Sequence, residues 1–309
     1  MEESEGGPQP DRPEGQPFKS GFVSIVGRPN VGKSTLLNHL AKQKIAIISD
    51  KPQTTRNQIR GVVNLEAAQV VFIDTPGLQK PKNLLNERMN RSVRETYSQV
   101  DAIVFMLDAS RRIGSGDLFV AGELGALDTP VIALLNKVDL LDERQVEAQR
   151  LVAEQLDKFR GLLPISARTG QNMGALLRQL VELLPDGPKY YPDDMVTDQP
   201  AAFLIGEFIR EKAIDLTREE VPFNLAVQVE EISPREGKDT IYVEAVIYVA
   251  HDSQKGIIIG KGGRMLKEIG SKARAEIQAL LGSKVYLNLR VKVEKEWAKR
   301  PQSLQKLGY

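Results

Sequence analysis

The stretch FVSIVGRPNVGKSTLLNHLAK, Phe22 to Lys42, decides the fold of the first half of the chain. The β-branched run FVSIV passes into a glycine-rich turn, Gly27 to Ser34, and then into a helical stretch from Thr35 to Lys42. A strand feeding a GxxxxGK[ST] turn that opens a helix gathers many backbone N–H donors at one point. Phosphate oxygens need such a point, so the turn reads as a phosphate-binding loop. Its contacts are expected from Gly27, Arg28, Pro29, Asn30, Val31, Gly32, Lys33, Ser34 and Thr35. Lys33 supplies a point charge, and the Ser34 hydroxyl is expected to ligate magnesium.

Outward from this loop, Phe18 to Leu184 alternates further strand-like runs (QVVFID, AIVFMLD, VIALLN, LLPIS) with amphipathic stretches. Near-continuous apolar strands alternating with helices predict an α/β fold, a mainly parallel sheet with helices on both faces. Two of these strands end in motifs at the sheet edge where such folds place ligand contacts. Asp74 to Gly77 (DTPG) follows QVVFID, with Asp74 expected to hold magnesium through water and the Gly77 amide to sense a γ-phosphate. Asn136 to Asp139 (NKVD, including Lys137) ends VIALLN. Guanine offers an N1 proton and an exocyclic amine that one carboxylate can accept together, whereas adenine leaves that carboxylate unpaired, so Asp139 predicts GTP over ATP. Ser166 and Ala167, after LLPIS, look like the loop whose backbone amide completes the guanine pocket.

These motifs stand in the order expected of the translation-factor-related GTPases, which the chain resembles from Gly21 to Leu184. By that resemblance SDKPQTTR, Ser49 to Arg56, is the switch I segment, in which one threonine caps the magnesium while the γ-phosphate is present. Thr55 is the expected residue and Thr54 the close alternative. The catalytic set is then Lys33, Thr55, Asp74 and Gly77, with magnesium held by Ser34, Thr55 and, through water, Asp74. Many such GTPases orient the attacking water with a glutamine directly after DxxG, where this chain has Leu78, which predicts slow intrinsic hydrolysis. Asn30 resembles the asparagine of GTPases that bind potassium there; the alternative is that Asn30 only stabilises the loop.

Composition narrows the other options. The 309 residues, 41% hydrophobic and 27% charged, suit a soluble protein of roughly two domains. The chain has no cysteine and only His39 and His251, which excludes disulfides, thiolate nucleophiles and cysteine-ligated zinc, and disfavours a histidine-built metal site. No apolar run reaches membrane-spanning length and the N-terminus is acidic, so a cytosolic location is expected. Residues 1–17 contain no apolar residue after Met1 and read as a disordered tail.

The segment 185–200, PDGPKYYPDDMVTDQP, has four prolines and no periodicity and reads as the linker between an 18–184 nucleotide domain and a second domain, 201–309. The second domain reads as helix, two strands, two helices and a final strand. In that strand Lys284, Arg290 and Lys292 lie opposite the apolar face, which predicts one basic side. Charge also separates along the chain: 185–250 has 6 basic and 14 acidic residues, 251–309 has 13 and 5. GIIIGKGG, Gly256 to Gly263, sits between the two helices and lacks the lysine–serine pair of a second phosphate loop. GKGG fits the GxxG loop of KH domains, where close backbone approach lets single-stranded RNA pass over a helix junction. Expected RNA contacts are Gly260, Lys261, Gly262 and Gly263, with Lys255, Lys267 and Lys272 as phosphate partners. Trp297 reads as a packing residue near the chain end, with base stacking as the alternative.

An N-terminal GTPase domain joined to a small α+β type II KH domain, with KPQTTR in switch I, resembles the bacterial Era GTPase family from Phe18 to Tyr309. The resemblance implies a GTP/GDP switch in assembly of the small (30S) ribosomal subunit. It also implies binding to small-subunit ribosomal RNA near its 3′ end, and peripheral association with the inner face of the plasma membrane. The competing reading is an RNA-binding module with a near-silent nucleotide domain, against which the intact Lys33, Ser34, Asp74 and Asp139 argue. Relatives that modify RNA or carry tandem GTPase domains are disfavoured by the absence of cysteine and of a second GxxxxGKS.

Overall fold

The computed structural model describes residues 17–81, 83–157, 159–235, 237 and 239–309; the expected tail lies outside them except for Pro17. The first half runs β1 (Lys19–Gly27), α1 (Lys33–Ala41), β2 (Ile59–Asn64), β3 (Ala68–Asp74), α2 (Leu84–Tyr97), β4 (Ala102–Asp108) and α3 (Ser115–Leu124). It continues with β5 (Val131–Asn136), α4 (Glu143–Ala153), β6 (Gly161–Pro164) and α5 (Met173–Leu183). The strands form one sheet in the order β2-β3-β1-β4-β5-β6, parallel except for the antiparallel β2–β3 pair. Strand β2 was not legible from periodicity: IRGVVN is short and mixes polar with apolar residues, and pairing at the sheet edge makes it a strand. Two apolar clusters, one on each face, bury the sheet as a parallel sheet requires.

Residues 185–200 form no helix or strand, yet they are fastened along the β2–β3 edge. Val62 N donates to Val196 O at 2.8 Å, Gln69 Nε2 to Tyr191 O at 2.8 Å, and Arg60 pairs with Asp198 at 2.8 Å. A proline-rich stretch without its own ladder thereby satisfies its backbone on a neighbour.

The second half runs α6 (Ala201–Leu216), β7 (Ala226–Pro234), β8 (Ile241–Val249), α7 (Asp252–Ile259), α8 (Arg264–Leu281), β9 (Val285–Val293) and α9 (Pro301–Lys306). The sheet β7-β8-β9 pairs antiparallel then parallel, the expected α-β-β-α-α-β order with α9 added. Val243, Ala245, Ile247 and Val249 pack on α6 and α8, together with Ile47 from the first half. The opposite face of β8 is not left to solvent: Val246 and Tyr248 pack with Leu85 and Met89 of α2 and with Trp297 and Leu304. The two halves therefore share apolar surface directly.

The predicted basic side is corrected by the structure. Arg290 pairs with Glu230 at 2.6 Å and also with Glu244, and Lys292 pairs with Glu230 at 3.2 Å. Acidic residues on the neighbouring strands neutralise Arg290 and Lys292, which a count along one strand does not register.

Candidate nucleotide site and nucleic-acid interface

The phosphate loop curls around Lys33, whose Nζ donates to the carbonyls of Gly27 at 3.1 Å and Arg28 at 2.9 Å. Burial lowers its pKa to about 8, partly opposed by Asp74. Gly32 has φ +107°, and a Cβ there would lie 2.3 Å from Asn136 Nδ2. That close approach lets Asn136 donate to Val31 O at 2.7 Å while its Oδ1 accepts from Ala167 N at 2.9 Å. Asn136 is thus a tie between the phosphate loop and the Ser166–Ala167 loop, the loop from which a backbone amide was expected to complete the guanine pocket, and it engages the Ala167 amide. Lys137 reaches back to Asn30 O at 2.9 Å and to Asp108 at 2.6 Å. Asp139 stands exposed beyond the end of β5.

Ser34, Thr55 and Asp74 converge. Ser34 Oγ donates to Asp74 Oδ2 at 2.7 Å and lies 2.9 Å from Thr55 Oγ1, which is 3.3 Å from the same carboxylate oxygen. Thr54 turns its hydroxyl away to Lys51 O at 2.6 Å. Asp74 is fully buried and its Oδ1 has no hydrogen-bond partner among the described residues. Burial pushes the Asp74 carboxyl up, with Lys33, Ser34 and Thr55 pulling back. Two hydroxyls and a carboxylate with an unpartnered oxygen fit a hard, oxygen-seeking cation such as magnesium. Gly77 abuts the loop, where a Cβ would lie 2.7 Å from Pro29 N.

Lys33, Ser34, Thr55 and Gly77, with Asn30, Gly32, Thr35 and Lys137, line a cavity of about 800 Å³, whereas Asp74, Asn136, Asp139, Ser166 and Ala167 are not part of its lining. Five lining residues were missed: Ile47, Ile48, Arg111, Arg168 and Asp215. Arg168 follows Ala167 directly and could have been read from that position, whereas Asp215 lies on α6 and carries no local signal. Leu78 does not face this cavity. It is 2% exposed and packs with Val26, Val93 and Phe105.

In the second half, Gly260, Gly262 and Gly263 adopt φ of +70°, +62° and +76°, the left-handed region that favours glycine. Lys261 and Lys267 are exposed beside them, Lys255 is half-buried, and Lys272 pairs with Glu268 at 3.1 Å. Gly263, Leu266, Lys267 and Arg274 with Leu287 and Leu289 line a groove of about 370 Å³. Arg274 was not foreseen; it lies seven residues beyond Lys267, two helical turns along the same face. Trp297 is fully buried, with Nε1 donating to Asn224 O at 3.0 Å, so it packs rather than stacking a base.

Residues 22–137 match the family described as 50S ribosome-binding GTPase, and residues 220–298 match the KH domain family. The chain is 50% identical over 295 residues to GTPase Era of Carboxydothermus hydrogenoformans, covering 94% of this chain and 98% of that one. A crystal structure of Era in complex with MgGDPNP and nucleotides 1506–1542 of 16S ribosomal RNA matches with TM-score 0.92 at 40% identity. A single-substitution variant of Aquifex aeolicus Era bound to GDP and AlF4− matches with TM-score 0.91, also at 40% identity. Each covers 94% of this chain and 99% of its own.

Proposed function

The chain belongs to the Era family of GTPases, and from that premise we propose that its GTP hydrolysis switches how its KH domain holds small-subunit ribosomal RNA near the 3′ end during 30S subunit assembly. The observation that carries the switch is the convergence of Ser34, Thr55 and Asp74, which joins the phosphate loop to the switch segment at one point. The RNA solved with the related Era is 16S, and this relative spans the whole fold, so the small subunit is favoured over the 50S particle of the broader family description.

In this reading Lys33 places its charge on the transferred phosphate, and Ser34 and Thr55 hold magnesium, with Asp74 acting through water. Magnesium, when bound, neutralises charge that develops on the phosphate oxygens. The Gly77 amide faces the γ-phosphate, and Asp139 selects guanine over adenine. No side chain in the Leu78 position orients water, so intrinsic turnover is slow.

Potassium is the finer part of the proposal. Asn30 Nδ2 donates to Asp50 O at 2.5 Å, the point where the phosphate loop meets the switch segment. A potassium ion there would be ligated by the Asn30 side-chain oxygen and switch carbonyls, and equal turnover in potassium and sodium removes it. For the RNA, Gly260 to Gly263 form the backbone platform, with Lys255, Lys267 and Lys272 toward phosphates. Cytoplasmic residence with peripheral contact at the inner membrane face rests on family membership alone. Among the described residues no helix is long and apolar enough to cross a membrane.

The test is crosslinking and sequencing of bound RNA in the presence of GDP and of a non-hydrolysable GTP analogue. Enrichment of small-subunit RNA with the analogue alone supports the switch; no RNA in either state defeats it.

A further inference from the structure

Helix α6, in the RNA-binding half, buries a row of charge. Glu207, Arg210 and Glu211 are 7%, 1% and 3% exposed, and their spacing of three and four puts them on one face. Ionised side chains are poor core material unless each is paired, so a buried row of them points to a specific partner. That partner is the nucleotide half, from Lys44 through the switch segment. Glu211 accepts from Ile48 N at 2.9 Å and from Lys44 at 2.5 Å, and Asp215, one turn on, accepts from Ser49 Oγ at 3.1 Å. Arg210 forks onto Glu207 at 2.7 and 2.6 Å, and the same Nη2 donates to the carbonyl of Thr54.

We infer that Arg210 is a positioning residue for GTP hydrolysis: it fixes the Thr54–Thr55 peptide plane and thereby sets Thr55 Oγ1 at the magnesium site. The Thr54 carbonyl and the Thr55 amide share one planar unit, so holding the oxygen fixes the orientation from which Thr55 departs and restricts its swing away from Ser34. The bond is charge-assisted and buried, which makes it stronger than a neutral contact. Burial works against the Arg210 charge, and Glu207, together with Tyr309 and Glu211, more than restores it. Arg210 touches no reacting atom. Its effect passes through Thr55, so the inference rests on reading Thr55 as the magnesium ligand.

The consequence is an enzyme whose metal site is completed only while the RNA-binding half is docked on the switch segment. The test uses the full chain and measures kcat, KM for GTP, GDP affinity and the magnesium concentration giving half-maximal rate. Replacing the pair together, Arg210→Met with Glu207→Met, leaves no unpaired buried charge and should retain the fold. This double variant should lose at least about tenfold in kcat and need several-fold more magnesium, because misplacing a reacting constellation is costly. Its GDP affinity should stay unchanged. Arg210→Lys keeps the charge but cannot fork onto Glu207 and reach Thr54 at once, so it should fall between the double variant and the parent chain. Thr55→Ala serves as the reference.

If Thr55→Ala impairs hydrolysis while Arg210→Lys and the double variant keep parental kcat and magnesium requirement, the inference is overturned and the magnesium reading survives. If Thr55→Ala itself hydrolyses normally, both fall. Should the double variant not fold, Arg210→Lys decides: an unchanged magnesium requirement overturns the inference, and a raised one upholds it.

Discussion

The guanidinium of Arg56 lies 5.4 Å from the ring centroid of Trp297, two residues 241 positions apart that belong to the switch segment and to the KH half. Tyr309 stacks on Trp297 and lies 5.6 Å from the same guanidinium. Arg56 also donates to the carbonyls of Leu225 at 2.5 Å and Phe223 at 3.0 Å. The segment whose Thr55 reaches Ser34 is therefore anchored, one residue later, in the other half of the molecule.

Arg56→Ala should destabilise the protein by about 3 kcal/mol, since it removes charge-assisted bonds and a stacked cation and leaves buried carbonyls unpaired. Arg56→Lys should recover little, because an ammonium lacks the planar fork that reaches the Leu225 and Phe223 carbonyls while lying beside the two aromatic rings. Denaturant unfolding monitored by Trp297 fluorescence measures both, and a loss under about 1 kcal/mol for Arg56→Ala would contradict the anchor.

From the sequence alone, Leu78→Gln looks like a gain of the missing water-orienting group. The structure reverses that expectation, because Leu78 packs in the apolar layer beside α2 and α3. The variant should lose about 3 kcal/mol of stability by burying an amide in a leucine-shaped space, without faster hydrolysis. A turnover assay showing acceleration at parental stability would show that this side chain reaches the nucleotide.

The Glu211 carboxyl is held below its usual 4.5: burial raises it, and Lys212, Lys44 and the Ile48 amide outweigh that. A carboxyl whose folded-state pKa is depressed stabilises the fold above its unfolded-state pKa, and the contribution disappears as pH falls through the folded-state value. Thermal midpoints should therefore drop below pH 4.5, and Glu211→Gln should start lower at neutral pH and fall less steeply in acid. Parallel pH profiles for the two proteins would rule Glu211 out as the titrating group.

Not every lysine near the glycine loop should contribute equally to RNA binding. Lys261→Ala and Lys267→Ala should each reduce the slope of log affinity against log salt by about 0.7, the value for one contact to a single strand. Lys272 already faces Glu268, so Lys272→Ala should change the slope less. Binding of a single-stranded small-subunit RNA fragment across a salt series distinguishes them; equal effects at all three positions would mean that the Glu268 pair opens in the complex.

How much of this was readable beforehand follows from the range of the interactions. The phosphate loop, DTPG and NKVD were legible because each is a few consecutive residues at the end of an apolar strand, where backbone geometry and side-chain chemistry are set locally. GKGG was legible for the same reason, since left-handed backbone at a helix junction asks for glycine. Strand β2 and helix α9 were not, because short elements take their conformation from what they pair or pack with. Neutralisation of Arg290 and Lys292 depended on acidic residues of other strands, and the burial of Leu78 on helices that close over it.

The sequence by itself determined a GTPase half and a KH half, because their motifs are short local patterns. Only the tertiary structure decided that these halves meet at the switch segment. Thr54 meets Arg210 across 156 residues and Arg56 meets Leu225 across 169, contacts that no periodicity encodes, because they arise when two independently patterned domains dock and their buried charges must find partners.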